Sequence, residues 1–168
     1  TAQTYEDSRR ELKSLLGLDE SFYLFTCGNG ATGAIKKFQE ILGIYAPPAL
    51  KKRYALKPDE NSPLVVLGPY EHHSNEISFR QALCDVERIR LDKNGGIDFN
   101  HLEQILRINI GREIIATFSV ASNVTGVLSD YRKIYTLIKS YGGIVAFDAA
   151  SFSAYGNIDC DYFDALFL

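Results

Sequence analysis

The feature that most constrains this chain is an alternation. Short apolar runs at residues 22–26, Leu64–Leu67, 113–120 and 144–147 are separated by stretches whose apolar side chains recur at helical spacing. Ala34, Ile35, Phe38, Ile41 and Leu42 follow the first run. Phe99, Leu102, Ile105 and Leu106 precede the third, and Ile134, Leu137, Ile138 and Tyr141 precede the fourth. A further, alternating run at 86–91 lies between the second and third. Strands joined through helices cannot pair as hairpins. They pair side by side in one direction, with the helices covering both faces. The expected fold class is therefore α/β, a three-layer α/β/α arrangement around a mostly parallel sheet.

The remaining segments are read by their punctuation. Residues 4–16 are expected as an amphipathic helix closed by Gly17, with Tyr5, Leu12, Leu15 and Leu16 near one face. Residues 46–63 carry four of the five prolines (Pro47, Pro48, Pro58 and Pro63), so a long surface loop is expected. Asp98 and Ser129 stand where N-caps belong. There is neither an internal repeat nor a low-complexity tract.

A chain of 168 residues with 46% hydrophobic residues suits one packed domain. Its net charge of −3 excludes the basic footprint of a nucleic-acid or membrane-surface protein. Cys27, Cys84 and Cys160 show no paired spacing, and the first residues mix acids and bases. Reduced thiols in an intracellular, cytoplasmic protein are the expectation. The chain opens on Thr1 and ends on Asp164, Ala165, Leu166, Phe167 and Leu168, a run that reads as an unfinished strand. A piece of a longer protein is expected, either self-associating or only marginally stable because of apolar surface at Phe163, Leu166, Phe167 and Leu168.

In parallel sheets ligands bind beyond the carboxyl ends of the strands. After residue 26 comes Gly28-Asn29-Gly30-Ala31-Thr32-Gly33, glycine-rich at the entry to a helix. Helix amides and the helix dipole there favour an anion. The spacing also matches a dinucleotide fingerprint, which needs an acidic residue about 20 positions on, or a basic one for a phosphorylated ribose; Lys51, Lys52 and Arg53 keep an NAD(P)-binding oxidoreductase domain open as an alternative. After Leu67 stands Tyr70-Glu71-His72-His73-Ser74-Asn75-Glu76. Read as extended backbone, it points its two histidines to opposite faces, which excludes joint metal ligation; one could serve as an aromatic plate or proton carrier. Ser122-Asn123-Val124-Thr125-Gly126 places small polar residues at a third strand end. Asp148 ends the run at 144–147, where a buried carboxylate needs a cation or several donors.

In order and spacing these four segments resemble the class V aminotransferase and cysteine desulfurase group of fold-type I pyridoxal-phosphate enzymes, over residues 22–168. The resemblance implies that the chain is part of the large, cofactor-binding domain of an enzyme acting on an amino acid, a desulfurase or lyase or else a transaminase. It implies pyridoxal 5'-phosphate as cofactor and a homodimeric parent. Ala31 and Thr32 would hold the phosphate, His72 would stack on the ring with possible proton transfer, Asn123 would lie near the phenolic oxygen, and Asp148 would pair with the ring nitrogen. Ser151 stands where many relatives carry a glutamine that reaches the ring oxygen. The Schiff-base lysine, the small C-terminal domain and the desulfurase cysteine are expected beyond Leu168. A scaffold without catalytic function is the second alternative. All four segments should meet in one pocket.

Overall fold

The computed structural model describes residues 2–168. Five parallel strands form one sheet in the order β2-β1-β3-β4-β5. They are β1 (Leu64–Leu67), β2 (Asp85–Arg88), β3 (Ile114–Ser119), β4 (Ile144–Asp148) and β5 (Ala165–Phe167). Six α-helices accompany them: α1 (Ala2–Leu15), α2 (Gly30–Ile41), α3 (Pro48–Tyr54), α4 (His73–Arg80), α5 (Phe99–Ile108) and α6 (Tyr131–Lys139). The three central strands read as continuous apolar runs because both their faces are covered: every residue of β1 and β3, and all but Ile144 of β4, is buried.

Alternate residues of these strands feed two cores. Val66, Ala116, Phe118, Val145 and Phe147 pack with Leu102, Ile105 and Leu106 of α5 and Ile134 and Ile138 of α6. Val65, Leu67, Ile115, Ala146 and Phe167 face the other way, toward Ile35 of α2 and Phe79 of α4. Three α/β/α layers result, as the alternation requires. Because β1 lies between β2 and β3, successive connections leave its neighbourhood in opposite directions. The crevice this opens at the carboxyl ends is where such sheets bind ligands.

Several expectations are corrected. Residues 22–26 form no strand: Phe22 packs its ring on Phe163 at 5.3 Å, and the Leu24 carbonyl accepts a 2.6 Å hydrogen bond from Arg9. The segment is held from the side rather than by a ladder. The loop expected at 46–63 contains α3, started by Pro48, whose missing N–H costs nothing in the first helical turn. The run at 86–91 shortens to β2, whose burial is slight, as befits an edge. Asp130, not Ser129, caps α6, accepting from the Lys133 amide at 3.1 Å. Phe163 and Phe167 are buried rather than presented to solvent. No helix among the described residues is long and apolar enough to cross a membrane.

Candidate functional site

At the carboxyl edge of the sheet a cavity of about 350 Å³ is lined by Ala31, Thr32, His72, Asn123, Asp148 and Ser151, with Ser74, Ser119, Ala121 and Ala150 between them. All six residues selected from the sequence therefore line one cavity, although they lie up to 120 positions apart (151 minus 31).

The first wall is the start of α2. Asn29 and Gly30 both adopt positive φ, 69° and 59°, and no side chain caps the helix. The amides of Gly30, Ala31 and Thr32 have no intrahelical acceptor, so this end is polarised toward an anion. The dinucleotide alternative fails at this wall. Its fingerprint requires a strand entering the glycine turn, and residues 22–26 make no strand pairing.

The second wall follows β1. The segment at 72–80 is not extended: His72 is the N-cap of α4, and His73 is already helical. The His72 Nδ1 accepts from the Ser74 amide at 3.3 Å and lies 2.7 Å from the Ser74 hydroxyl, so the neutral ring carries its proton on Nε2. The ring is exposed at the cavity. Behind it lies a group that sequence reasoning left without a role. The Glu71 carboxyl accepts from the Ser119 amide at 2.8 Å, the Ser119 hydroxyl at 2.7 Å and the Asn75 amide at 2.7 Å. Asn75 in turn accepts from Thr117 at 2.8 Å. Burial pushes Glu71 up to about 7, against the pull of its three hydrogen bonds and with a further push from the charge of Asp148. The available signal was the spacing of Glu71 and Asn75, one helical turn apart at the end of an apolar strand.

The third wall follows β3. Ser122 folds the loop by accepting from the Val124 and Thr125 amides at 3.3 and 3.2 Å, which leaves Asn123 exposed at the cavity. Ser129, the expected cap, is spent on the interior: its hydroxyl donates to the Ser119 carbonyl at 2.6 Å and meets Tyr70 at 3.0 Å.

The fourth wall is Asp148, 5% exposed at the end of β4 and in register with Ser119. Its Oδ1 accepts from the Ala150 amide at 3.0 Å. Among the described residues nothing donates to Oδ2. Burial drives this carboxyl above its ordinary value, while the Ala150 hydrogen bond and His72 pull it down. A buried carboxylate with one oxygen free fits a cationic N–H donor. Ser151 reaches the cavity but donates its hydroxyl to the Ala121 carbonyl at 2.7 Å, so its proton is committed to the wall.

A parallel α/β domain with an anion-binding helix end and a buried aspartate facing it across strand ends defines a ligand-binding domain of the doubly covered type. The chain belongs to the aminotransferase class-V family, whose model matches residues 1–168. It is 26% identical over 170 residues to a "Probable cysteine desulfurase" of Pyrococcus abyssi, covering 99% of this chain and 38% of that one. A protein of the same description from Chlamydia muridarum is 29% identical over 107 residues, covering 61% of this chain and 26% of that one. Among solved structures, the cysteine desulfurase of Thermococcus onnurineus superposes with a TM-score of 0.75 at 21% identity, over 98% of this chain and 38% of that one. The cysteine desulfurase CsdA of Escherichia coli gives 0.72 at 23% identity, with the same two coverages. The chain thus spans between a quarter and two-fifths of the length of these relatives.

Proposed function

We propose that this chain forms the cofactor-binding part of a pyridoxal-phosphate-dependent enzyme that acts on an amino acid, with cysteine desulfuration as the leading activity of the whole protein. The observation that carries the reading is one cavity holding an uncapped helix N-terminus and a buried aspartate with a free oxygen. An anionic phosphate suits the first and a protonated ring nitrogen suits the second. The desulfurase relatives supply the activity.

In this reading the amides and hydroxyl at Ala31 and Thr32 bind the phosphate. His72, pinned at Nδ1 by Ser74, would cover the ring and leave Nε2 free for proton exchange with the substrate. Asp148 would hold a proton on the ring nitrogen, and Asn123 would stand near the phenolic oxygen. Ser151 orients the Ala121 carbonyl and has only its oxygen left to offer a ligand. Pyridoxal phosphate, when bound, supplies an electron-accepting ring that stabilises negative charge on the substrate's α-carbon. Burial of Asp148 strengthens its hold on a ring cation, because water does not compete at 5% exposure. Among the described residues no lysine lines the cavity. The chain by itself is therefore expected to bind the cofactor without turning over an amino acid.

Calorimetric titration of the chain with pyridoxal phosphate tests this reading. Saturable binding at one site is expected, weakened by at least about tenfold in Asp148→Ala, given that breaking a buried ion pair typically costs several kcal/mol. Absent binding, or binding indifferent to Asp148, overturns the reading.

A further inference from the structure

The Glu71 carboxyl is the most heavily bonded acidic group near the cavity, yet it lines none of it. It sits behind the wall, on the turn that carries His72, and takes both donors of Ser119 from the end of β3. Ser119 is the register partner of Asp148. Glu71 thus joins the turn that places His72 to the strand end beside Asp148. Space around it is exact enough that a Cβ on Gly68 would collide with Glu71 Oε1 and approach Phe118 to 3.0 Å.

We infer that Glu71 is a positioning residue of the site: its carboxyl clamps the turn after β1 to the end of β3, and it keeps a proton so that Asp148 alone carries the negative charge offered to a ring cation. The inference rests on Asp148 being the cation partner proposed above.

The charge balance follows from what surrounds Glu71. From β3 it meets only Ser119 and, through Asn75, Thr117, all uncharged. From α4 it meets Asn75. From β4 the nearest charge is Asp148, of like sign. On its own turn stand His72, whose ring is engaged by Ser74, and Tyr70, engaged by Ser129. Arg88 touches this turn at the Pro69 carbonyl and pairs with Glu76 at 3.8 Å rather than with Glu71. Among the described residues no cation pairs with Glu71. Glu71 and Asp148 are neighbours of like charge that do not both ionise readily, and only Asp148 opens on the cavity, where His72 favours its charged form. Glu71 therefore holds its proton up to about pH 7, on Oε2 and donated to the Ser119 hydroxyl oxygen, while its oxygens still accept from the Ser119 and Asn75 amides.

Carbon-13 NMR titration of side-chain carboxyls in the ligand-free chain tests the proton, and amide hydrogen exchange at Ser119 tests the clamp. One glutamate resonance should titrate near 7. It should vanish in Glu71→Gln and stay raised, at slightly lower pH, in Asp148→Asn, because burial is the main cause and the like charge a small one. Ser119 amide protection should survive in Glu71→Gln and fall in Glu71→Asp, whose shorter side chain cannot span both walls. Pyridoxal phosphate affinity should stay within about threefold of wild type in Glu71→Gln and fall about tenfold or more in Glu71→Asp, since small misplacements are costly in a positioned site. Glutamates that all titrate in the ordinary range, or a Ser119 amide equally protected in Glu71→Asp, overturn the inference. A wild-type chain that binds no pyridoxal phosphate sinks the cofactor reading, while the two ligand-free measurements still decide whether the clamp and its proton exist.

Discussion

Gly33 is where one atom decides the shape of the anion site. A Cβ there would run into the Gly28 carbonyl oxygen and stand 3.0 Å from its carbon and 3.5 Å from Cys27 Cβ. The obstacle is backbone, so the turn at 28–30 has to move. Alanine favours a helix over glycine by about 1 kcal/mol, so α2 itself is not the casualty. Gly33→Ala is expected to retain its far-ultraviolet circular dichroism while losing about tenfold or more in pyridoxal phosphate affinity, since a displaced turn misplaces the Ala31 and Thr32 amides. Affinity equal to wild type would show that the turn's position is immaterial.

The two buried carboxyls make a second prediction at this scale. Burial raises both Asp148 and Glu71 in the folded chain, Glu71 from 4.5 to about 7. Between the unfolded and folded values the native state holds more protons than the unfolded state. Stability therefore declines as pH rises through that window, and the loss persists above it. For Glu71 the window runs from 4.5 to about 7 and the loss is on the order of 3 kcal/mol. Urea unfolding of the ligand-free chain at pH 5 and pH 8 should show this decline, and Glu71→Gln should flatten it. An equal pH dependence in the variant contradicts the assignment.

At the scale of elements, the caps separate two serine and aspartate roles that look alike in sequence. Asp98 accepts from the His101 amide at 3.0 Å and Asp130 from the Lys133 amide at 3.1 Å, both at surface helix ends. Replacing either by alanine is expected to cost about 1 kcal/mol in chemical denaturation. Ser129 is buried, and it braces the Ser119 carbonyl behind the cavity. Ser129→Ala leaves that strand end looser, so it should reduce cofactor affinity, which Asp130→Ala should not. The same contrast explains what the sequence could and could not tell. β1, β3, β4, α5 and α6 were legible because burial on both faces, or on one helical stripe, writes a periodic apolar pattern. α4 was not: its buried residues are Asn75 and Phe79, one of them polar and chosen for Glu71. Residues 22–26 have the composition of a strand, yet they make no ladder even beside the open edge of β5 and are held instead by the Phe22–Phe163 contact and the Arg9 bond to Leu24. α3 buries nothing and leaves no stripe to read. That His72, Asn123, Asp148 and Ser151 would meet in one cavity was legible because strand-end position is fixed by topology, whereas Ala31 and Thr32 follow no strand and were legible only from the glycine-rich helix start. Glu71 was hidden because its partners are Ser119 and Asn75, and only the folded chain brings Ser119 beside it.

The whole molecule is asymmetric at its two sheet edges. β2 presents Asp85, Glu87 and Arg88 on the outer edge, largely exposed, and charge of this kind discourages pairing with another strand. β5 is Ala165, Leu166 and Phe167, bonded on one side to β4 only. Beside it lies an apolar groove of about 450 Å³ lined by Phe22, Tyr23, Phe25, Phe38, Ile41 and Leu168 among others. Phe163 and Phe167 are buried beneath it while Leu168 is exposed as expected, and most of the exposed apolar surface lies at Tyr23, 84% exposed, Ile41, 60%, and Phe25, 58%. An apolar edge strand flanked by exposed aromatic rings invites a second copy of the chain to dock there. Sedimentation velocity across a wide concentration range is expected to show reversible self-association of the 168-residue chain. The double substitution Tyr23→Glu and Phe25→Lys should shift it to monomer, since both side chains are exposed and the core beneath is untouched. A matching pair of charges at Ile108 and Ile110, exposed at 75% and 74% and outside the groove beside β5, should leave association unchanged. A strictly monomeric wild-type chain would refute the association, and association that follows Ile108 and Ile110 instead would place the adhesive surface elsewhere than β5.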